Sequence, residues 1–163
     1  NTRLTTLSVG GVNDFGNTGS SNYSNLVNVG NITIPYVPSI TKLSVGGIYG
    51  TFMSPYITNT YSTGNITIGD GYTYSENINY GNLYGTLGIS YNPTGVTPTA
   101  YYTQDGYAMG LSRLSDENAA LDANYGTKID ESNVPSILDI INVNDAYEIK
   151  DGESLPTLKV FNQ

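Results

Sequence analysis

The sequence contains no cysteine, no histidine and no tryptophan. Without cysteine, thiol catalysis and thiolate metal sites are excluded. Without histidine, a Ser/His/Asp triad, an HExxH zinc helix and an imidazole general base are excluded as well. A Gly-rich phosphate loop followed by lysine is also missing. We therefore expect a protein that is not an enzyme.

Charge is scarce, and positive charge is the scarcest. Charged residues make up 12% of the 163 residues, with six Lys and Arg against fourteen Asp and Glu, and the net charge is −8. Nucleic-acid affinity rests mainly on basic side chains that neutralise phosphates, so no nucleic-acid partner is expected. No run of about 18 apolar residues occurs, so no membrane insertion is expected. Neither an initiator methionine nor a signal peptide is present, and we expect the chain to come from a longer protein.

Glycine and tyrosine are abundant instead, with 19 and 15 copies. Glycine and asparagine suit backbone positions with positive φ, whereas Tyr, Thr, Ile and Val suit a pleated, half-buried surface. This composition predicts many short strands joined by tight turns. The length fits one domain of ordinary size.

Two short motifs recur at nearly the same spacing. Leu-Ser-Val-Gly-Gly at 7–11 returns at 43–47, and the same frame continues as Ile-Asn-Tyr-Gly-Asn at 78–82, so the copies begin 36 and 35 residues apart. Gly-Asn-Ile-Thr-Ile at 30–34 returns at 64–68, which is 34 residues later. Apolar and polar side chains alternate within each motif, as strands require.

A unit of this size has an apolar face but no second layer to bury it against, so the copies must stack on one another. Stacking predicts an all-β fold, a parallel β-solenoid (β-helix) of about three repeats of roughly 35 residues. The residues that define the repeat are mostly glycines at corners and close backbone approaches. They are Gly46, Gly47, Gly50, Gly64, Asn65, Gly81 and Gly85. An antiparallel β-sandwich would have a similar composition and is the alternative.

The density of charge changes near Gln104. Residues 1–104 carry five charged side chains, whereas residues 105–163 carry the other eleven acids and four bases. We therefore expect solenoid repeats over 1–104 and a small acidic α/β cap over 105–163, within the same structural domain. The cap would close the open strand edges at the end of the array, which otherwise recruit other chains.

The cap has its own helix and strand signals. Ser115 is expected to N-cap a short helix that has acidic residues in its first turn. Pro135 is expected in the first turn of a second helix. The segments 146–150 and 155–161 are typical of strands.

Gly-Gly-Ile-Tyr-Gly at 46–50, followed by Asn-Thr-Tyr-Ser-Thr-Gly at 59–64, resembles the GLUG repeat of bacterial surface proteins. Copies of that repeat read roughly as Gly-Gly-Leu-x-Gly and then Asn-x-Tyr-x-Thr-Gly. Residues 82–85 match the first part, while 10–12 is a degraded copy because Asp14 stands where the closing glycine is expected. The end of the chain is also similar to the end of such arrays, at Tyr101-Tyr102, Ile137-Leu138 and Leu155-Pro156-Thr157-Leu158.

The resemblance implies a non-catalytic repeat module of a secreted or cell-surface bacterial protein. Such a module acts as a scaffold, a spacer or an adhesin surface, with flanking domains of a larger protein and a host or matrix protein or glycan as partners. The alternative that the resemblance implies is a non-catalytic segment of a secreted IgA1-protease-type peptidase, because such repeats also occur outside the catalytic domains of those enzymes.

Tyrosines are the candidate ligand-binding residues. An aromatic ring with a polar tip suits carbohydrate stacking and protein interfaces, which leaves a carbohydrate-binding module as a further alternative. The candidates for an exposed surface are Tyr49, Tyr61, Tyr72, Tyr74 and Tyr84. The other interpretation is that these tyrosines pack between neighbouring repeats.

No cofactor is expected, with a structural calcium ion left open. Calcium takes carboxylate, amide and carbonyl oxygens, and the weak candidate ligands are Asp145, Asp151 and Glu153. The spacing of an EF-hand loop is missing, and surface turns commonly have this composition.

Overall fold

The computed structural model describes residues 4–16, 23–52, 57–87, 99–142 and 145–159, mainly as short β-strands with a few short helices. The strands are β1 (Thr6–Gly10), β2 (Asn13–Gly16), β3 (Tyr23–Ser24), β4 (Val27–Asn28), β5 (Ile32–Ile34), β6 (Lys42–Gly46), β7 (Tyr49–Phe52), β8 (Ile57–Thr58), β9 (Thr60–Ser62), β10 (Ile66–Ile68), β11 (Ile78–Gly81), β12 (Tyr84–Leu87), β13 (Ala100–Tyr102), β14 (Thr127–Lys128), β15 (Tyr147–Glu148) and β16 (Thr157–Leu158). The α-helices are α1 (Asp116–Leu121) and α2 (Leu138–Ile141), and 3-10 helices span Gly110–Arg113, Asp122–Asn124 and Glu131–Ile137.

The repeated motifs lie beside each other, parallel and in register. Strand β6 lies between β1 and β11, so that Leu43 is opposite Leu7 on one side and Ile78 on the other. Strand β10 pairs with β5 and places Ile66 opposite Ile32. The prediction that copies of one motif are parallel neighbours is therefore confirmed, and these pairs are not those of an antiparallel sandwich.

The strands form five parallel sheets, each built from equivalent strands of successive repeats. Sheet A is β1-β6-β11, sheet B is β2-β7-β12, sheet C is β3-β8, sheet D is β4-β9-β13-β14, and sheet E is β5-β10. We call the segment β1–β5 unit 1, β6–β10 unit 2 and β11–β13 unit 3. Each unit thus contributes one strand to each sheet in which it takes part.

Parallel pairing continues beyond Gln104. Met109 forms a parallel bridge to Tyr84, and β14 pairs with β13, which puts Lys128 opposite Tyr102. The change in composition at Gln104 is therefore not where the stacked strands end. The reason is physical: a ladder of backbone hydrogen bonds needs no particular side chains, so stacking can outlast the recognisable repeat.

Three apolar clusters fill the spaces beside the sheets. Leu43 and Val45 of sheet A pack with Ile34 of sheet E, while Tyr49 and Tyr84 of sheet B pack with residues of sheets C and D. The third cluster joins sheet D to the C-terminal segment, through Tyr61, Val134, Ile137, Ile141 and Tyr147. Removing such side chains from water contributes about 1.5–3 kcal/mol each.

The C-terminal elements differ in detail from the expectation. Ser115 does N-cap α1, its hydroxyl accepting from the Asn118 N–H at 3.1 Å. The second helix is split into a 3-10 helix containing Pro135, which has no N–H to donate, and α2. The two predicted strands are reduced to the antiparallel pair β15 and β16. No helix in the described ranges is long and apolar enough to cross a bilayer.

Candidate functional site

The glycines that define the repeat lie where two backbones touch. A Cβ on Gly46 would be 1.9 Å from the Tyr49 carbonyl oxygen, and a Cβ on Gly47 would be 2.1 Å from the Asn82 carbonyl oxygen. No side chain fits at such distances. At the four other defining glycines, a Cβ would also meet backbone atoms at 2.0 to 2.6 Å: Gly50, Gly64, Gly81 and Gly85. The repeat is therefore a steric requirement of the stack.

Asn65, the remaining defining residue, links units 1 and 2. Its N–H donates to the side-chain oxygen of Asn31, the equivalent residue of unit 1, at 2.9 Å. The Asn31 side chain thus accepts a hydrogen bond from the backbone of the next unit.

The turn between sheets A and B carries a second repeated contact, in which one carbonyl oxygen accepts from two N–H groups of the preceding unit. The Ile48 oxygen accepts from Val12 and Asn13, both at 3.1 Å. The Leu83 oxygen accepts from Ile48 and Tyr49, both at 3.0 Å. The Ala108 oxygen then accepts from Leu83 and Tyr84, both at 2.9 Å, so residues around Ala108 act as a partial fourth unit.

At the next position a side chain replaces the carbonyl. The carboxylate of Asp122 accepts from the Ala108 N–H at 2.8 Å and from the Met109 N–H at 3.1 Å. Asp122 is only 7% exposed, and the Tyr102 hydroxyl also contacts it, at 3.4 Å. Burial, followed by the Asp122 charge, raises the pKa of Tyr102. Asp122 therefore satisfies the last pair of N–H groups and ends this ladder.

Sequence reasoning missed Asp122. In the printed sequence it is one acidic residue among many after Gln104. The available signal was indirect: a ladder of N–H groups that points out of the last unit needs an acceptor, and a buried polar group without one is costly.

Three of the five candidate ligand-binding tyrosines are buried. Tyr49, Tyr61 and Tyr84 are 2%, 1% and 4% exposed, so the prediction that they line an exposed surface is wrong. Tyr49 and Tyr84 are partners in sheet B and face the cluster shared with sheets C and D. Tyr61 is covered by the C-terminal segment.

Tyr61 helps to hold that segment against the repeats. The Tyr61 hydroxyl donates to the Pro156 carbonyl oxygen, and the Tyr147 hydroxyl donates to the Asn59 carbonyl oxygen at 2.6 Å. The two rings are 6.2 Å apart between centroids. The segment after Lys128 therefore covers the side of sheet D, which differs from the expected position across the end of the array.

Tyr72 and Tyr74 are half-buried and packed against other tyrosines. The Tyr72 ring meets Tyr36 edge to face at 5.0 Å between centroids, and its hydroxyl accepts from the Val37 N–H at 3.2 Å. Tyr74 packs in the same way on Tyr80 at 5.5 Å. Tyr36 is 48% exposed, so a partly exposed aromatic surface exists here. Carbohydrate stacking at this surface stays a prediction.

The candidate calcium ligands lie at exposed positions near β15 and β16. Asp145 forms an ion pair with Lys159, whose hydrogen bond lowers the pKa of Asp145. Asp151 and Glu153 lie on an exposed turn. Within the described part of the chain, no three His, Cys, Asp or Glu side chains come together as a metal ion would need.

A groove of about 390 Å³ lies between unit 1 and the C-terminal segment. Apolar residues from both sides line it: Val12, Leu26, Val27, Val29, Leu155 and Leu158. The Asn25 side-chain oxygen is buried at this groove without a hydrogen-bond partner in the described residues. Two smaller depressions, of about 200 and 230 Å³, are lined mainly by hydroxyl and amide side chains.

The buried tyrosines predict alkaline unfolding. Burial, with a smaller effect of Tyr23, raises the pKa of Tyr49 to about 12, and burial also raises the pKa of Tyr61, Tyr84 and Tyr147. Tyrosines in the unfolded chain ionise near pH 10. The unfolded state therefore loses protons first. The free energy of unfolding has its full value below about pH 10, and it decreases as the pH rises through about 12.

The measurement is a tyrosinate absorbance titration paired with circular dichroism. We expect exposed tyrosines to ionise while the β signal is intact, and the buried ones to ionise only as that signal is lost. A single ionisation step near pH 10 with an intact β signal would contradict the burial described above.

Comparisons with protein-family models, with curated proteins and with solved structures found no match for this chain.

Proposed function

We propose that the chain is a non-catalytic repeat module of the GLUG type, a parallel β-solenoid that serves as a rigid spacer or adhesion surface of a secreted or cell-surface bacterial protein. The observation that carries this proposal is the register of sheet A. Leu43 is paired with Leu7 on one side and Ile78 on the other. Unit 2 then has the same kind of neighbour on both sides, and contacts between neighbouring units are how repeat arrays gain stability.

A spacer must keep the domains at its ends apart and oriented. In this chain the hydrogen bonds between units run along the stacking direction. The glycines allow the backbones of neighbouring units to come into direct contact. Each unit adds about 4.8 Å, the spacing of neighbouring strands. A stack of this kind is stiff because bending it would have to separate closely packed backbones. Flanking domains of a longer protein are the partners that this role requires.

The adhesion role would use the sides of the stack. The exposed aromatic contact of Tyr36 and Tyr72 is one surface on which a glycan or a host or matrix protein can pack. Tyr61, Tyr49 and Tyr84 contribute to stacking and to holding the C-terminal segment instead.

Duplicating unit 2 tests the solenoid directly. We insert a second copy of residues 43–77 after Asn77, so that the new copy lies between unit 2 and unit 3. The spacing matches the register, because Ile78 pairs with Leu43. We expect a folded protein whose denaturant m-value rises with the added buried surface, and whose longest dimension by X-ray scattering grows by about 5 Å.

A duplication of residues 44–77 is the matched control. It lacks Leu43, so the first strand of the new copy has no apolar side chain at the position that pairs with Leu43 and with Ile78, which are both buried. We expect this control to be much less stable than the in-register duplication. If both duplications leave the m-value unchanged, the extra copy is an unstructured insertion and the solenoid proposal fails.

A further inference from the structure

The described residues place no further unit on the outer face of unit 1, whereas units 2 and 3 are each stacked on the unit before them. Val12, Ile48, Leu83 and Ala108 occupy equivalent positions in the turn, as the shared hydrogen-bond pattern shows. Ile48, Leu83 and Ala108 are fully buried, whereas Val12 is 42% exposed. Val29, on the same side of unit 1, is 55% exposed. Both valines line the apolar groove described above.

The backbone of this face has a defined pattern of acceptors and donors. The Val12 carbonyl is equivalent to the Ile48 and Leu83 carbonyls, each of which accepts two N–H groups from the unit before it. The Val29 N–H is equivalent to the Thr63 N–H, which donates to the Asn28 carbonyl at 2.9 Å. Neither the Val12 oxygen nor the Val29 N–H has a backbone partner among the described residues.

We infer that the outer face of unit 1 is a docking surface for a further repeat unit of the same type, stacked parallel and in register. Such a unit supplies two N–H groups from its Gly-Gly turn to the Val12 oxygen and a carbonyl oxygen to the Val29 N–H. It also covers Val12, which then becomes buried like Ile48, Leu83 and Ala108 at the equivalent positions. The inference rests on the stacking proposed above, and it names the partner of that stack at its open end.

A second copy of this chain fits the face less well. Placed with its own turn over this turn, it brings the Val12 oxygen against an equivalent oxygen, because its Val12 and Asn13 N–H groups already donate to Ile48. At the opposite end of a second copy, the turn N–H groups of Ala108 and Met109 already donate to Asp122. The chemistry of the face therefore favours a unit whose turn N–H groups are free to donate.

A substitution at Gly30 is expected to block docking on this face. The equivalent glycine of unit 2, Gly64, has its Cβ position 2.0 Å from the Gly30 carbonyl oxygen below it. A Cβ on Gly30 meets nothing closer than the Asn28 side-chain oxygen, at 3.6 Å. The substitution Gly30→Ala therefore leaves this chain undisturbed but places a methyl group against a carbonyl of any unit docked in register.

The test inserts a copy of residues 43–77 between Thr6 and Leu7, which keeps the register because Thr6 pairs with Lys42. Val12→Cys provides the readout, since the chain has no other cysteine. We expect thiol labelling of Val12→Cys to be roughly tenfold slower or more in the extended chain than in the original chain. Adding Gly30→Ala is expected to restore fast labelling in the extended chain and to leave the original chain unchanged.

Equal labelling rates in the two chains, or an extended chain that does not fold, overturn the inference. A concentration-dependent dimer of the original chain that Gly30→Ala abolishes also overturns it, by assigning the face to a second copy. The duplication after Asn77 is independent of this face. Its success together with failure here leaves the stacked module standing and removes only the docking surface.

Discussion

Asp122→Ala is expected to lower the free energy of unfolding by about 3–5 kcal/mol. The carboxylate is the acceptor for the Ala108 and Met109 N–H groups, and Asp122 is only 7% exposed. Alanine leaves both donors without a partner in a place that water reaches poorly. Each such group costs about 1–3 kcal/mol, and bonds to an ionised acceptor are the stronger ones.

Two controls separate the acceptor role from the loss of charge. Asp122→Asn keeps the shape and one oxygen but turns an amide N–H group toward a backbone donor, so we expect an intermediate loss. Asp116→Ala removes an exposed carboxylate from the first turn of α1 and should cost no more than about 1 kcal/mol. Urea unfolding gives the free energies, and amide hydrogen exchange at Ala108 and Met109 locates the effect. Equal losses for Asp122→Ala and Asp116→Ala would remove the ladder-ending role.

The pairing of the repeated motifs was predictable because identical motifs can form identical contacts only by lying side by side. The offset between Leu7 and Leu43 in the sequence is the register of β1 on β6. The defining glycines were predictable for the same reason, since a close backbone approach in one unit recurs in the next. The repeated motifs therefore predict which strands of successive units pair and where their backbones come close.

What could not be predicted depends on contacts between distant parts of the chain. Tyr61 is buried against the C-terminal segment, where it contacts Pro156 and Tyr147, 95 and 86 positions later in the sequence. Asp122 becomes an acceptor only because Ala108 stacks on Leu83. Neither contact is accompanied by a repeated motif in the sequence. The change in composition near Gln104 therefore predicted a boundary at a point where the ladder of backbone hydrogen bonds continues.

The two ends of the ladder are chemically different, which gives the stack a direction. At one end a buried carboxylate takes the place of the next carbonyl. At the other end the Val12 carbonyl oxygen has no backbone partner among the described residues, and the Cβ position of Gly30 meets only the Asn28 side-chain oxygen, at 3.6 Å. The same substitution should therefore have different effects in unit 1 and unit 2, because unit 2 is stacked on unit 1, whereas the described residues place no unit on the outer face of unit 1.

Gly64→Ala and Gly30→Ala test this difference within one motif. Both substitutions add a methyl group to the first position of Gly-Asn-Ile-Thr-Ile, so intrinsic propensities cancel. At Gly64 the Cβ would lie 2.0 Å from the Gly30 carbonyl oxygen, which forces β5 and β10 apart. We expect Gly64→Ala to cost at least about 2–3 kcal/mol, at the upper end of what overpacking costs.

Gly30→Ala is expected to be neutral or to stabilise the chain by up to about 1 kcal/mol. Its φ is not in the left-handed region, its Cβ has space, and alanine restricts the unfolded chain more than glycine does. Denaturant unfolding of both variants gives the comparison, and hydrogen exchange of the Ile32 N–H, which donates to the Asn65 oxygen at 2.8 Å, reports whether β5 and β10 have separated. Equal costs at the two positions would mean that unit 1 and unit 2 have the same surroundings, and the stack would then have no open end at unit 1.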